Sequence, residues 1–290
     1  MAIIDDIKNQ YRRGSMLMRI IYINIGVFVL LRLAVLVAAV MGFDGQALIH
    51  AIAMPAQWGM LLRKPWTVLT YMVTHYELLH ILFNMLWLYW LGRIFLEYFT
   101  PKQLAGLYIL GGIGGATLYS VSMNLLPHFA GQSAYLLGAS ASILAVVVAT
   151  AVYAPNYRIS LLFIGNVSLK WVAIVTVLID LLSVEAGNAG GHIAHLGGAL
   201  VGAAYALMMR RGHDITAGLN ALIDGVVALT KRRKPQEPEV KSRAAGSATA
   251  SEPTEAELDR VLEKIKRSGY SSLSDSDRDV LFGASRKRNV

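Results

Sequence analysis

The chain of 290 residues has no cysteine, which excludes disulfides, a thiolate nucleophile and any sulfur-ligated metal. Charge is scarce as well. Asp, Glu, Lys and Arg together make up 16% of the residues, while 55% are hydrophobic. With a mean hydropathy of +0.48, this composition excludes an ordinary soluble domain of this length and fits a polytopic membrane protein. A cleavable leader is not expected either, because the first apolar run begins near Met16, is too long, and lacks a small-residue cleavage site after it. The few charges are unevenly spread: residues 1–230 carry 13 of the 27 Lys and Arg, and the last 60 residues carry the other 14. A formal net charge of +8 would suit nucleic acid, but the basic residues flank apolar runs, where membrane topology accounts for them. No nucleic-acid partner is expected.

A membrane-crossing helix needs about 20 mostly apolar residues. Six such segments are predicted, at about 17–42, 77–98, 103–123, 135–153, 169–185 and 190–209. The first contains Arg32, for which the sequence offers no partner. The third contains Gly111 and Gly115, four residues apart on one face, where a neighbouring helix can approach closely. Residues 43–76, with Pro55 and Pro65, read as a long, partly membrane-associated loop. Residues 155–170 read as a connector in which Gly165-Asn166 makes a hairpin turn. Six crossings put ten basic residues on one side of the bilayer and only Arg63 and Lys64 on the other, so both termini are expected in the cytoplasm.

The expected organisation is a cytoplasmic segment 1–15, a six-helix membrane domain 16–212, an amphipathic and then basic, Pro/Ser/Ala-rich linker 213–252, and a small helical cytoplasmic appendage 253–290. Lys231-Arg232-Arg233-Lys234 in the linker suits an anionic lipid surface. In the appendage, Leu258, Val261, Leu262 and Ile265 recur at helical spacing, and Ser274 with Asp277 forms a helix-start signature.

The chemistry centres on Gly138-Ala139-Ser140-Ala141-Ser142, a small-residue cluster at the head of an uncharged apolar run. A hydroxyl in hydrocarbon either bonds to a helix backbone or is placed there to react. Spans two, four and six start from the same, non-cytoplasmic face. Near those starts lie His80 and Asn84, Ser140, and His195, each about 5–10 Å deep at 1.5 Å per residue. A neutral histidine can take the proton of a serine hydroxyl and so make it a nucleophile. The oxyanion of the resulting tetrahedral intermediate needs donors, for which the Ser140 N–H and the side chains of His80 and Asn84 are candidates. His80 and Asn84, at i and i+4 on one helix face, would otherwise form an interhelical hydrogen-bonding pair. No aspartate lies close in sequence to orient His195, so a two-residue Ser–His dyad is expected. Asp180 and Glu185 read as a solvated helix end, His192 as a solvated loop residue, Ser142 as a packing residue, and Trp58 and Trp66 as interfacial anchors. Four histidines near one face raise the question of a metal. No His-Glu-x-x-His is present and no carboxylate sits at ligand spacing on the same helices, so neither a metal nor another cofactor is expected.

The motifs His75-x4-His80-x3-Asn84, Gly138-x-Ser140 and Ala194-His195-x2-Gly198-x3-Gly202, in that order over about residues 60–210, resemble the rhomboid family of intramembrane serine proteases. Trp66 and the glycine-rich third span are also similar. The resemblance implies an all-α, six-helix membrane fold with Ser140 as nucleophile and His195 as base. It gives His80 and Asn84 oxyanion-stabilising roles, with Gly138, Gly198, His75 and Trp66 in support. It further implies single-span membrane-protein substrates, cut near the top of a destabilised transmembrane segment after a small residue and admitted sideways between spans two and five. The chain departs from the family pattern at Ala141 (usually Gly), Leu144 (usually aromatic) and Thr67 (usually Arg). A catalytically silent relative acting as an adaptor or chaperone for membrane helices is the rival expectation. The expected location is a plasma membrane, in a bacterium.

Overall fold

A computed structural model of the chain describes residues 15–129, 132–161, 165–185, 188–230 and 254–286. Residues 1–14 of the expected segment 1–15, residues 231–252 of the expected linker and residue 253 of the expected appendage lie outside these described residues. The chain divides into two compact units, 1–230 and 231–290.

The first unit is a helical bundle. Its long helices are α1 (Met16–Val40), α5 (Leu78–Tyr98), α6 (Pro101–Leu125) and α9 (Ala189–Arg210), with the shorter α7 (Ser140–Tyr153) and α8 (Leu169–Leu182) between the last two. Among the described residues, four helices, α1, α5, α6 and α9, are long and apolar enough to cross a membrane. At 14 residues each, α7 and α8 are about 21 Å long, short of the roughly 30 Å hydrocarbon core. The outward faces of α1, α5 and α8 present large apolar side chains such as Leu30, Leu79 and Leu182. In water this surface would be strongly unfavourable; in lipid tails it is solvated by its own kind.

At the centre, α7 is buried along almost its whole length, from Ala141 to Ala151. It packs against α6 and α9 through glycines. Where Gly111 and Gly115 of α6 face α7, an added Cβ would run into the Cβ atoms of Ala145 and Ala141 respectively. On the other side, a Cβ on Gly198 or Gly202 of α9 would overlap the backbone carbonyl of Ala141 or Ala145. Three backbones therefore pack at distances that only glycine permits, which maximises dispersion contact where no hydrophobic effect operates between helices.

The loop between α1 and α5 is structured: α2 (Gln46–Ile52), β1 (Met54–Pro55), α3 (Trp58–Arg63), α4 (Thr67–Thr70) and a 3-10 turn, Tyr71–Val73. It is tied to α6 by Tyr71 OH donating to the Gly112 carbonyl at 2.6 Å, Trp58 Nε1–H to Ser120 Oγ at 2.8 Å, and the Asn124 amide to the Ala56 carbonyl at 2.8 Å. β1 pairs antiparallel with β2 (Tyr135–Leu136), in the register Met54 to Leu136 and Pro55 to Tyr135. Arg32, without an assignable partner in the sequence, lies over the Tyr76 ring, 4.6 Å from its centroid.

Three expectations on boundaries are corrected. The fourth helix begins at Ser140 rather than near 135, because residues 135–136 are extended and paired to β1. The connector is indeed a hairpin, β3 (Arg158–Leu161) with β4 (Gly165–Ser168), but its ladder closes Leu161 on Gly165. Gly165-Asn166 therefore belong to a strand rather than to a turn. Gly165, at φ +85°, opens the second strand. Finally, α10 (Ala217–Thr230), expected in the linker, packs on α6 within the first unit: Lys102 pairs with Asp224 at 2.6 Å, and Gly106 faces Thr216 and Asn220.

In the second unit, α11 (Glu255–Ser268) starts at a reciprocal Thr254–Glu257 capping box, and α12 (Asp275–Arg286) follows Ser274. Asp277 pairs with Lys264 at 2.7 Å and accepts from the Ser274 N–H at 3.0 Å, which together hold its carboxyl far below the usual carboxylate range.

Candidate active site

Ser140 is the first residue of α7, and the chain reaches it through Gly138 at φ +120°. Two bonds pin this approach to the structured loop: the Gly138 N–H donates to the Tyr71 carbonyl at 3.0 Å and the Ala139 N–H to His75 Nε2 at 3.3 Å. His75 is fully buried. Its position, packed under the loop beside the His80 ring at 5.1 Å, pushes its pKa down to about 4, chiefly through burial.

The glycine contact between α7 and α9 sets the height of the opposing histidine. Gly198 meets Ala141, one residue after the serine, and His195 lies one turn before Gly198 on the same helix. The result is Ser140 Oγ 2.6 Å from His195 Nε2. What faces Nδ1 then decides which ring nitrogen carries the proton.

Here the structure overturns an expectation. Asp180 is not a solvated helix end; it is 5% exposed, and its Oδ1 lies 2.8 Å from Nδ1 of His195 and 2.8 Å from Nδ1 of His192. His192 is correspondingly not a loop residue but a member of the first turn of α9, with its side chain 21% exposed. The carboxylate beside His195 comes from a different helix, α8. A signal for it existed in the sequence: a carboxylate within an apolar, membrane-depth run is costly unless it is paired for a purpose.

Asn84 joins Ser140 and His195 in lining one cavity of about 190 Å³, with Phe83 and Trp87 from α5, Leu144 from α7, and Thr176 and Asp180 from α8. One Asn84 N–H is spent on the His80 carbonyl of its own helix at 2.8 Å. The His80 ring lies against Gly138, where a Cβ would come within 2.8 Å of its Cε1 and 3.7 Å of Ser140 Oγ. Glycine at 138 thus keeps space open between the hydroxyl and the ring. Trp66 is elsewhere: half exposed, its indole N–H donates to the Ala51 carbonyl at 2.9 Å within the loop. Thr67, where the family pattern has arginine, is buried and donates to the Lys64 carbonyl at 2.6 Å. Ser142 is buried, with its Oγ unpaired among the described residues.

The arrangement is a hydroxyl in contact with an imidazole that is itself held by a carboxylate, beside a small cavity bordered by apolar helices. Comparison with known proteins bears on the same segment. The Rhomboid domain family matches residues 62–212, which includes every residue just described around the cavity. RHOMBOID-like protein 12, mitochondrial, from Arabidopsis thaliana is 29% identical over 157 residues, covering 50% of this chain and 47% of that protein. The chain thus aligns with about half the length of this curated relative. Since the family match takes in more than half of the 290 residues and the apolar helices are those of a membrane-embedded protein, the chain belongs to the rhomboid family.

Proposed function

We propose that this chain is an intramembrane serine endopeptidase in which Ser140 is the nucleophile and His195 the general base. The observation that carries the reading is the 2.6 Å contact between Ser140 Oγ and His195 Nε2. In the proposed reaction Ser140 Oγ attacks a peptide carbonyl and gives its proton to Nε2. The C=O electron pair moves onto oxygen, and His195 returns the proton to the leaving amine as the C–N bond breaks. Water then hydrolyses the acyl-enzyme by the same route in reverse. The Ser140 N–H, His80 and the remaining N–H of Asn84 are the proposed donors to the oxyanion. Gly138, Gly198 and His75 support that geometry, and Trp66 supports the loop.

The proposed substrates are single-span membrane proteins. The cavity of about 190 Å³ suits a small side chain, and its lining from α5 and α8 fits lateral access between those two helices. The proposed topology has six crossings: the four long helices plus α7 and α8, with both termini on the side of the basic loops. On that topology the helical unit after 253 is a cytoplasmic appendage, and the proposed home is a bacterial plasma membrane.

A fluorophosphonate probe on the detergent-solubilised protein tests the reading. Labelling that disappears in Ser140→Ala and His195→Ala and persists in Ser142→Ala is expected, together with cleavage of a single-span substrate in liposomes. A folded wild-type protein that takes no label would overturn it in favour of a silent, helix-binding relative.

A further inference from the structure

We infer that Asp180 is a positioning residue for His195, so that the serine–histidine pair works as the end of an Asp–His–Ser relay assembled from three helices. This rests on the protease reading and deepens it.

Helix α8 is otherwise apolar around this position: Ile179 and Leu181, on either side of Asp180, are each 56% exposed on the outer surface, while the carboxylate turns inward. A carboxylate at membrane depth demands strong hydrogen-bond donors. It finds two, the Nδ1 atoms of His192 and His195, both 2.8 Å from the same oxygen. For His195 this bond has a chemical consequence. An imidazole can receive the Ser140 proton at Nε2 only if its own proton sits on Nδ1, and an acceptor-only carboxylate at Nδ1 enforces that tautomer. When Nε2 is protonated in the reaction, the same oxygen, on a carboxylate that is itself buried, faces the new positive charge across 2.8 Å. His192, donating to the same oxygen from one turn earlier on α9, fixes the rotation of the carboxylate. The register of α8 against α9 thereby decides whether His195 is a base.

The rival use of this cluster is a metal site, since the ligand atoms of Asp180, His192 and His195 lie within 4.8 Å of one another. The short Nδ1–Oδ1 distances favour protons over an ion in that space.

The test uses full-length, EDTA-treated protein. In Asp180→Asn, kcat for a single-span substrate is expected to fall about 100-fold or more with KM within about threefold, while Asp180→Glu recovers part of the loss. In ¹⁵N-histidine NMR, His195 is expected to carry its proton on Nδ1 in the wild type and to lose that preference in Asp180→Asn, a change that mere helix packing would not produce. If wild-type protein shows the Nδ1 proton and its loss in Asp180→Asn yet never cleaves or takes up a fluorophosphonate, the protease reading falls and the positioning role stands. Should Asp180→Asn fail to fold, the wild-type spectrum alone decides. A His195 Nδ1 without its proton, or an Asp180→Asn enzyme with kcat within threefold of wild type, overturns the inference.

Discussion

His75 illustrates how much one side chain does in this structure. It accepts the Ala139 N–H on the approach to Ser140, so its lone pair must stay free, and burial holds its pKa at about 4 against an ordinary 6.5. Between those values the unfolded chain binds a proton that the folded chain refuses. Stability therefore falls as the pH drops from 6.5 towards 4, by up to about 3 kcal/mol at the bottom of the window. Thermal unfolding in detergent from pH 7.5 to 4 should show this decline, and His75→Gln should flatten it; an unchanged slope in that variant would contradict the assignment. The sequence placed His75 in a motif but gave no hint of which backbone group it would meet, because its partner is 64 residues away. The same limitation explains Asp180: read along the chain it ends a helix, and only the packing of α8 on α9 brings its oxygen to both histidines.

Between elements, the decisive contact is α7 against α9. Gly198→Ala drives a methyl into the Ala141 carbonyl, a backbone atom that cannot rotate away, so the helices must separate. The expected cost is about 3 kcal/mol, at the upper end of overpacking changes, with a melting temperature several degrees lower and fluorophosphonate labelling of Ser140 lost. Gly225→Ala in α10, where nothing lies within 4 Å of an added Cβ, is the control and should be neutral or slightly stabilising. These glycines were legible in the sequence, since spacing by four on an apolar run already says that a helix comes close. Which helix comes close is not written in that spacing; the meeting of Gly198 with Ala141 supplies it. Helix limits were less legible. The extended residues 135–136 look as apolar as a helix start, and only their pairing with Met54 and Pro55 sets them apart.

At the scale of the whole chain, the apolar surface of the first unit and the polar, charge-paired second unit call for different solvents. Large apolar side chains such as Leu78 and Leu200 are about two-thirds exposed, which lipid tolerates and water does not. The second unit instead holds itself together with caps and ion pairs around buried Val261 and Leu273. A chain ending at Thr230 should therefore fold in detergent and label at Ser140 at a rate within about twofold of full length, measured by gel fluorescence. A loss of labelling on removing 231–290 would mean that the second unit participates in the chemistry.

Composition and hydropathy alone determined that this is a membrane protein, since 55% hydrophobic residues with 16% charge leave no soluble alternative. The ordered motifs around Asn84, Ser140 and His195 determined its kinship, because their spacing is local information carried by each helix. What only the tertiary structure decided is the inside of the site: the 2.6 Å serine–histidine contact, the loop bonds that aim Ser140, and the carboxylate behind His195. Those depend on the register between helices far apart in sequence. Periodicity along one strand of chain says which face of a helix is buried, but not which partner's atoms that face will meet.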